Sequence, residues 1–234
     1  MSEAAITHVF FELPGVLVDR SVFRRTYRAN LARIMAERYT GNPPEWAAAY
    51  DHVLADWDSY YADLNLSSED GIADLWEGLY RTTRALFRLT GVPEPTQPEL
   101  TRLSRELPEL ASRGCDALFP EVPTLLGQLD QAGLVLGVIS YSLTGVASAL
   151  IAPVERYFKG AVWGSDRAEH FEKDVERYLA AALSAQVTPE RCLMVDYQPL
   201  ALLSAQQAGM QTFRVCPGDS PLRGLAARCL AQIS

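Results

Sequence analysis

Three short apolar runs that each close on a polar residue constrain this chain more than any other feature. His8-Val9-Phe10-Phe11 runs into Glu12, Leu134 to Ile139 into Ser140, and Cys192 to Val195 into Asp196. Runs that are apolar throughout, without alternation, suit strands covered on both faces, which predicts a parallel sheet flanked by helices. In such sheets ligands bind beyond the carboxyl ends of the strands, so Glu12, Ser140 and Asp196 are placed to converge on one crevice. Two further runs, Ala161-Val162-Trp163 and Thr212 to Val215, complete about five strands. Helices fit between them at 122–132, closed by Gly133; 144–151; 172–185; 199–208, closed by Gly209; and 221–231. The expected fold class is α/β, a Rossmann-like parallel sheet with helices on its faces.

Between the first and second strands lies a long stretch, 20–114, with no strand candidate. Parallel-strand connections need only a dozen or more residues, so this stretch reads as an inserted α-helical domain. The core domain is then 1–19 with 115–234. Pro43-Pro44, Ser67-Ser68 and the segment Pro93 to Pro98 divide the insertion into a bundle of four helices, near 21–39, 44–65, 68–90 and 98–112. In the second of these, Trp46, Tyr50, Val53, Trp57, Tyr60 and Leu64 form a seam spaced by fours and threes. That seam suits the bundle core, or alternatively a homodimer interface through the cap. Asp70-Gly71 falls inside the third expected helix and carries no calcium-loop spacing.

Composition removes whole classes of function. With 48% hydrophobic and 21% charged residues the chain is an ordinary globular sequence, and no 18-residue apolar run is present to span a bilayer. The first residues carry Glu3 and no apolar stretch followed by a cleavage site, so a cytoplasmic location is expected. Cys115, Cys192, Cys216 and Cys229 lie far apart with no CxxC pair, the usage of reduced thiols. A net charge of −8 leaves no footprint for a phosphate backbone, and nucleic acids are set aside as partners.

The segment Val9-Phe10-Phe11-Glu12-Leu13-Pro14-Gly15-Val16-Leu17-Val18-Asp19 resembles the first motif of the haloacid dehalogenase (HAD) superfamily, an apolar strand followed by Asp-x-Asp-Gly-(Thr/Val)-Leu-x-Asp. Ser140 resembles the Ser/Thr of the second motif and Lys173 the lysine of the third. Met194-Val195-Asp196-Tyr197-Gln198-Pro199 resembles the fourth, whose family form has two adjacent aspartates. The insertion sits where many members carry a helical cap. For intact members the resemblance implies phosphoryl transfer: the first Asp attacks phosphorus, the second shuttles the proton, Ser/Thr and Lys bind the phosphoryl oxygens, and magnesium neutralises the rest.

Three acidic positions depart from that pattern. Glu12 stands for the nucleophilic Asp and reaches roughly 1 to 1.5 Å further, when a misplacement on the order of 1 Å can cost ~10²-fold. Pro14 stands for the acid/base Asp and has no titratable atom, which forfeits a factor of roughly 10² to 10⁴. Tyr197 stands for the second carboxylate of the fourth motif. The metal set implied by the resemblance is Glu12, the main-chain carbonyl of Pro14, and Asp196, a weakened magnesium site or none. Members that cleave carbon–halogen or carbon–phosphorus bonds also lack the second Asp, so Pro14 alone does not abolish all chemistry.

The candidate catalytic residues are Glu12, Ser140 and Lys173. Each has a plainer reading beside the functional one. Glu12 can be a trapped carboxylate paired with Lys173; Ser140 can cap the loop after its strand; Asp196 can cap the helix that begins near Pro199. Lys173 can be an exposed residue beside Glu172 and Asp174, although Lys159 and Lys173 are the only lysines among 21 basic residues. Arg24, Arg25, Arg28 and Arg33 crowd the first cap helix and read as a solvated face or as a greeting for a small anionic ligand. His8, His52 and His170 show no metal spacing, and His170 lies near Lys173. The expected function is a binding or regulatory role on a HAD-like scaffold with lost or strongly reduced phosphohydrolase activity. The alternative is a magnesium-dependent hydrolase of a small organic substrate that uses Glu12 in place of the usual Asp.

Overall fold

The computed structural model describes residues 4–68, 70–159, 162–167, 173–216, 222 and 224–231. Ala161, His170, Glu172, Pro221 and Arg223, which fall within the expectations above, lie outside them. The described residues form two compact units. One comprises the residues up to Arg20 together with those from Ala117 onward; the other is Ser21–Asp116.

The first unit is built on a parallel sheet of β1 (His8–Phe11), β2 (Val135–Ile139), β3 (Val162–Trp163), β4 (Cys192–Asp196) and β5 (Gln211–Arg214), in the order β3-β2-β1-β4-β5. The apolar runs are strands for the reason that their composition gives: Val9, Phe10, Phe11, Leu136, Val138, Leu193 and Met194 are all sealed from solvent. Central β1 pairs with β2 on one side and β4 on the other, with Phe11 level with both Val138 and Val195. Chain order reverses at β1, which is the topological switch point where ligands enter such sheets. Glu12 follows β1 directly and donates its N–H to Val195 O at 3.0 Å, so it stands beside Asp196 at the end of β4.

The named elements of the second unit are all helices: α1 (Arg20–Arg38, whose first residue belongs to the sheet unit), α2 (Pro43–Ala55), α3 (Trp57–Tyr61), α4 (Gly71–Thr90) and α5 (Gln97–Ser112). Pro43-Pro44 open α2 behind a capping box in which the Asn42 side chain accepts from Glu45 N and Glu45 reciprocates on Asn42 N. Gly91, in the left-handed region at φ 69°, closes α4. Two expectations are corrected here. The helix expected over 44–65 stops at Ala55, because Asp56 leaves helical geometry (φ −112°, ψ 24°) and a separate short α3 begins at Trp57. The seam is accordingly buried at Trp46 and Val53, whereas Trp57 is 37% exposed. The helix expected from 68 begins at Gly71, so Asp70 precedes the helix instead of lying inside it.

The remaining helices belong to the sheet unit: α6 (Val122–Gln131), α7 (Thr144–Ile151), α8 (Val175–Ser184), α9 (Pro199–Gln207) and α10 (Leu225–Ala231). α8 and α9 cover β1 and β4 with Tyr178, Ala181, Ala182, Leu202 and Ala205. Among the described residues no helix is long and apolar enough to cross a membrane.

Candidate functional site

The ends of β1, β2 and β4 bring Glu12, Ser140 and Asp196 together, and Lys173 joins them from the segment before α8. Lys173 is held there by its neighbour: Asp174 is the N-cap of α8, accepting from Arg177 N at 2.9 Å, and this fixes the chain where the lysine departs toward the sheet. All four side chains are buried, Glu12 at 1% and Lys173 at 3% exposure. The reading of Lys173 as an exposed helix-start residue is therefore corrected.

Glu12 folds back onto its own strand tip. Its Oε1 accepts from Leu13 N at 2.7 Å and from Ser140 Oγ at 2.5 Å. Its Oε2 accepts from the Lys173 ammonium and, at 3.4 Å, from Tyr141 N. Lys173 also donates to Asp196 Oδ2 at 2.7 Å, so one ammonium spans two carboxylates, and the Tyr141 ring lies 4.8 Å from it. Asp196 Oδ1 accepts from Tyr197 N at 2.6 Å and Gln198 N at 3.0 Å, the turn that leads into α9. Asp196 thus orders the helix entry with one oxygen and the lysine with the other. Ser140 also serves both readings, since its Oγ accepts from Ser142 N at 3.1 Å while donating to Glu12.

Three residues that the sequence did not single out complete the site. Arg177, buried at 2%, donates through Nη2 to Ser140 O at 2.5 Å and Trp163 O at 3.4 Å, tying the tips of β2 and β3. Burial pulls its guanidinium below the ordinary arginine range, with the nearby Glu12 charge opposing. Tyr178, one residue on, is sealed from solvent; burial raises its phenol strongly and the charges of Asp196 and Glu12 add to the effect. Arg20 stacks its guanidinium 4.5 Å from the Tyr197 ring and donates to the Tyr197 hydroxyl, which also accepts from Gln198 Nε2 at 2.9 Å. Gly15 lies beneath this pair at φ 90°, a left-handed conformation that suits glycine, and a Cβ there would meet Tyr197 and Arg20 at 3.5 Å. No sequence signal marks Arg177, since an arginine in a helix interior ordinarily reads as surface.

The proposed metal donors Glu12, Pro14 and Asp196 do not fit magnesium. Glu12 Oε2 and Asp196 Oδ2 are both engaged by the Lys173 ammonium, so a divalent ion bound through these two oxygens would have to displace it. Tyr197 contributes no carboxylate, and magnesium asks for a near-octahedral set of oxygens. Among the described residues, no group of three or more His, Cys, Asp or Glu side chains is arranged to hold a metal. Of the arginines on α1, Arg28 pairs with Asp51 through two 2.6 Å bonds, and Arg33 pairs with Glu37 one turn away at 2.9 Å.

The family model for haloacid dehalogenase-like hydrolases matches residues 6–209. No curated protein matches in sequence. Among solved structures, a 2-haloacid dehalogenase from Pseudomonas syringae pv. Tomato DC3000 is similar at TM-score 0.61 and 21% identity, covering 98% of this chain and 100% of that one. A defluorinating L-2-haloacid dehalogenase is similar at TM-score 0.62 and 15% identity, over 96% and 95%. An L-2-haloacid dehalogenase from Xanthobacter autotrophicus, with chloropropionic acid covalently bound, is similar at TM-score 0.54 and 19% identity, over 97% and 83%. At these identities the likeness is one of fold.

Proposed function

Because this chain belongs to the haloacid dehalogenase-like hydrolases, matched over residues 6–209, we propose that its strand-tip carboxylate is a departure from a working family site and serves binding or regulation without turnover of phosphate esters. The carrying observation is the saturation of Glu12: both oxygens accept from protein donors, and the side chain is almost fully buried. A carboxylate nucleophile must present an oxygen in line with the bond it breaks, within about 3–3.5 Å. Here presenting one means breaking contacts to Ser140, Leu13 or the lysine. The positive charge that an anionic substrate would seek on Lys173 is shared between two carboxylates. Pro14 has no proton to give a leaving group.

A second reading keeps activity. A halogenated small carboxylic acid needs no proton donor at position 14, since halide leaves as an anion. The Glu12 carboxylate would displace it from carbon to form a glutamyl ester, and water adding at the ester carbonyl would return the carboxylate and the hydroxy acid, with one proton released to solvent. This reading is favoured by the similar solved structures, which are 2-haloacid dehalogenases.

The deciding assay follows phosphate release from para-nitrophenyl phosphate with Mg²⁺, and halide release from 2-chloropropionate, for the wild type beside Glu12→Ala. The first reading expects both proteins to match the buffer in both assays. Halide release that Glu12→Ala abolishes establishes the second, and phosphate release that it abolishes overturns the first.

A further inference from the structure

The helical unit holds a partly open cavity of about 80 Å³ at the meeting point of its five helices. Tyr27 from α1, Tyr50 and Val53 from α2, Thr83 and Leu86 from α4 and Leu107 from α5 form its wall, all within Ser21–Asp116. Protein interiors ordinarily leave few voids larger than a water molecule. A single water needs roughly 10–15 Å³, so this space admits on the order of five non-hydrogen atoms. The wall is mainly apolar, and one of its hydroxyls is already committed, Thr82 Oγ1 donating to Leu79 O at 3.0 Å. Water needs two to four polar partners and is a poor filling for such a wall.

The cavity has a constructed mouth. Trp57, the first residue of α3, borders the cavity with 37% of its surface exposed. Its ring stacks on Tyr61 with centroids 5.0 Å apart. Tyr61 can lie on α4 only because residue 78 is glycine; a Cβ there would fall 2.0 Å from the Tyr61 ring. Burial holds the Tyr50 phenol up at about 12 and raises the Tyr27 phenol well above its ordinary range, so both phenols stay neutral at physiological pH.

We infer that the helical unit carries its own binding site, distinct from the strand-tip site of the sheet unit, for a small neutral molecule with an apolar body and a single hydrogen-bond acceptor, admitted beside Trp57. An ion would lose its hydration on entry without a partner among Val53, Leu86 and Leu107. The ligand class is thus a small ketone, alcohol or phenol, not a phosphate or carboxylate.

The test titrates cyclopentanone and phenol, with sodium benzoate as the charged counterpart, into the full-length protein and follows backbone amide shifts by NMR. At least one neutral probe should shift resonances clustered on α2, α4 and Trp57, and benzoate should not. Thr83→Leu, which fills the space, should weaken that binding by about tenfold, and Val53→Ala, which enlarges it, should strengthen phenol binding several-fold, a difference on the order of one methyl or two in an apolar site. If Thr83→Leu does not fold, Val53→Ala decides alone. Shifts scattered over the surface, affinities indifferent to the variants, or no response to either probe in both the wild type and Val53→Ala overturn the inference.

Discussion

Lys173 donates to Asp196 Oδ2 across 2.7 Å with neither side chain reaching solvent, and the same ammonium bonds Glu12. Removing one member of a buried charged group leaves its partners uncompensated, at a cost of about 3–5 kcal/mol. Lys173→Met should lose that much in urea unfolding at neutral pH. The triple variant Glu12→Gln, Lys173→Met, Asp196→Asn should recover part of it, because the ammonium and both carboxylates go together, while Arg177 loses the opposing Glu12 charge. A loss below about 1 kcal/mol for Lys173→Met would mean that the lysine does not hold the two carboxylates together.

The thiols should divide sharply by reactivity. Burial pushes Cys192 up to about 12 and Cys229 up to about 11, and raises Cys115 against the opposing hydrogen bond from Asn30. Cys216 is exposed. The thiolate is the reacting form, so Ellman's reagent at pH 8 should titrate Cys216 promptly and the other three only after unfolding. Prompt reaction in Cys216→Ser would show that a buried thiol is open to solvent in the native protein.

His8 supplies a pH signature. Burial lowers its pKa below 6.5, and the neighbouring charge of Arg191 adds to the effect. The unfolded chain takes up this proton near 6.5 and the folded chain only lower, so unfolded molecules bind more protons between those points and stability rises with pH there. The contribution is complete above about 6.5 and is lost as pH falls through the folded midpoint. An NMR titration of the His8 ring should give a midpoint below 6.5, and His8→Gln should flatten stability against pH in that window. A midpoint at or above 6.5 contradicts this.

How far the sequence could be read follows from which forces act locally. The strands were legible because a parallel sheet buries both faces, and runs such as Leu134 to Ile139 have no other use for continuous apolar residues. The convergence of Glu12, Ser140 and Asp196 followed from topology alone. The end of α2 was not legible: the apolar spacing continues from Trp46 to Leu64, and only the backbone at Asp56 shows the interruption. Arg177 was hidden because its role depends on carbonyls at positions 140 and 163, which sequence distance does not reveal. Arg20 escaped notice for a related reason, its partner Tyr197 lying 177 positions away.

The most direct test of a silent strand-tip carboxylate is the intact mass of the protein quenched within seconds of mixing with 2-bromopropionate, and separately with para-nitrophenyl phosphate and Mg²⁺. With both Glu12 oxygens held by protein donors, the mass should remain that of the untreated chain. A covalent adduct that maps to Glu12 and vanishes in Glu12→Gln would contradict the account.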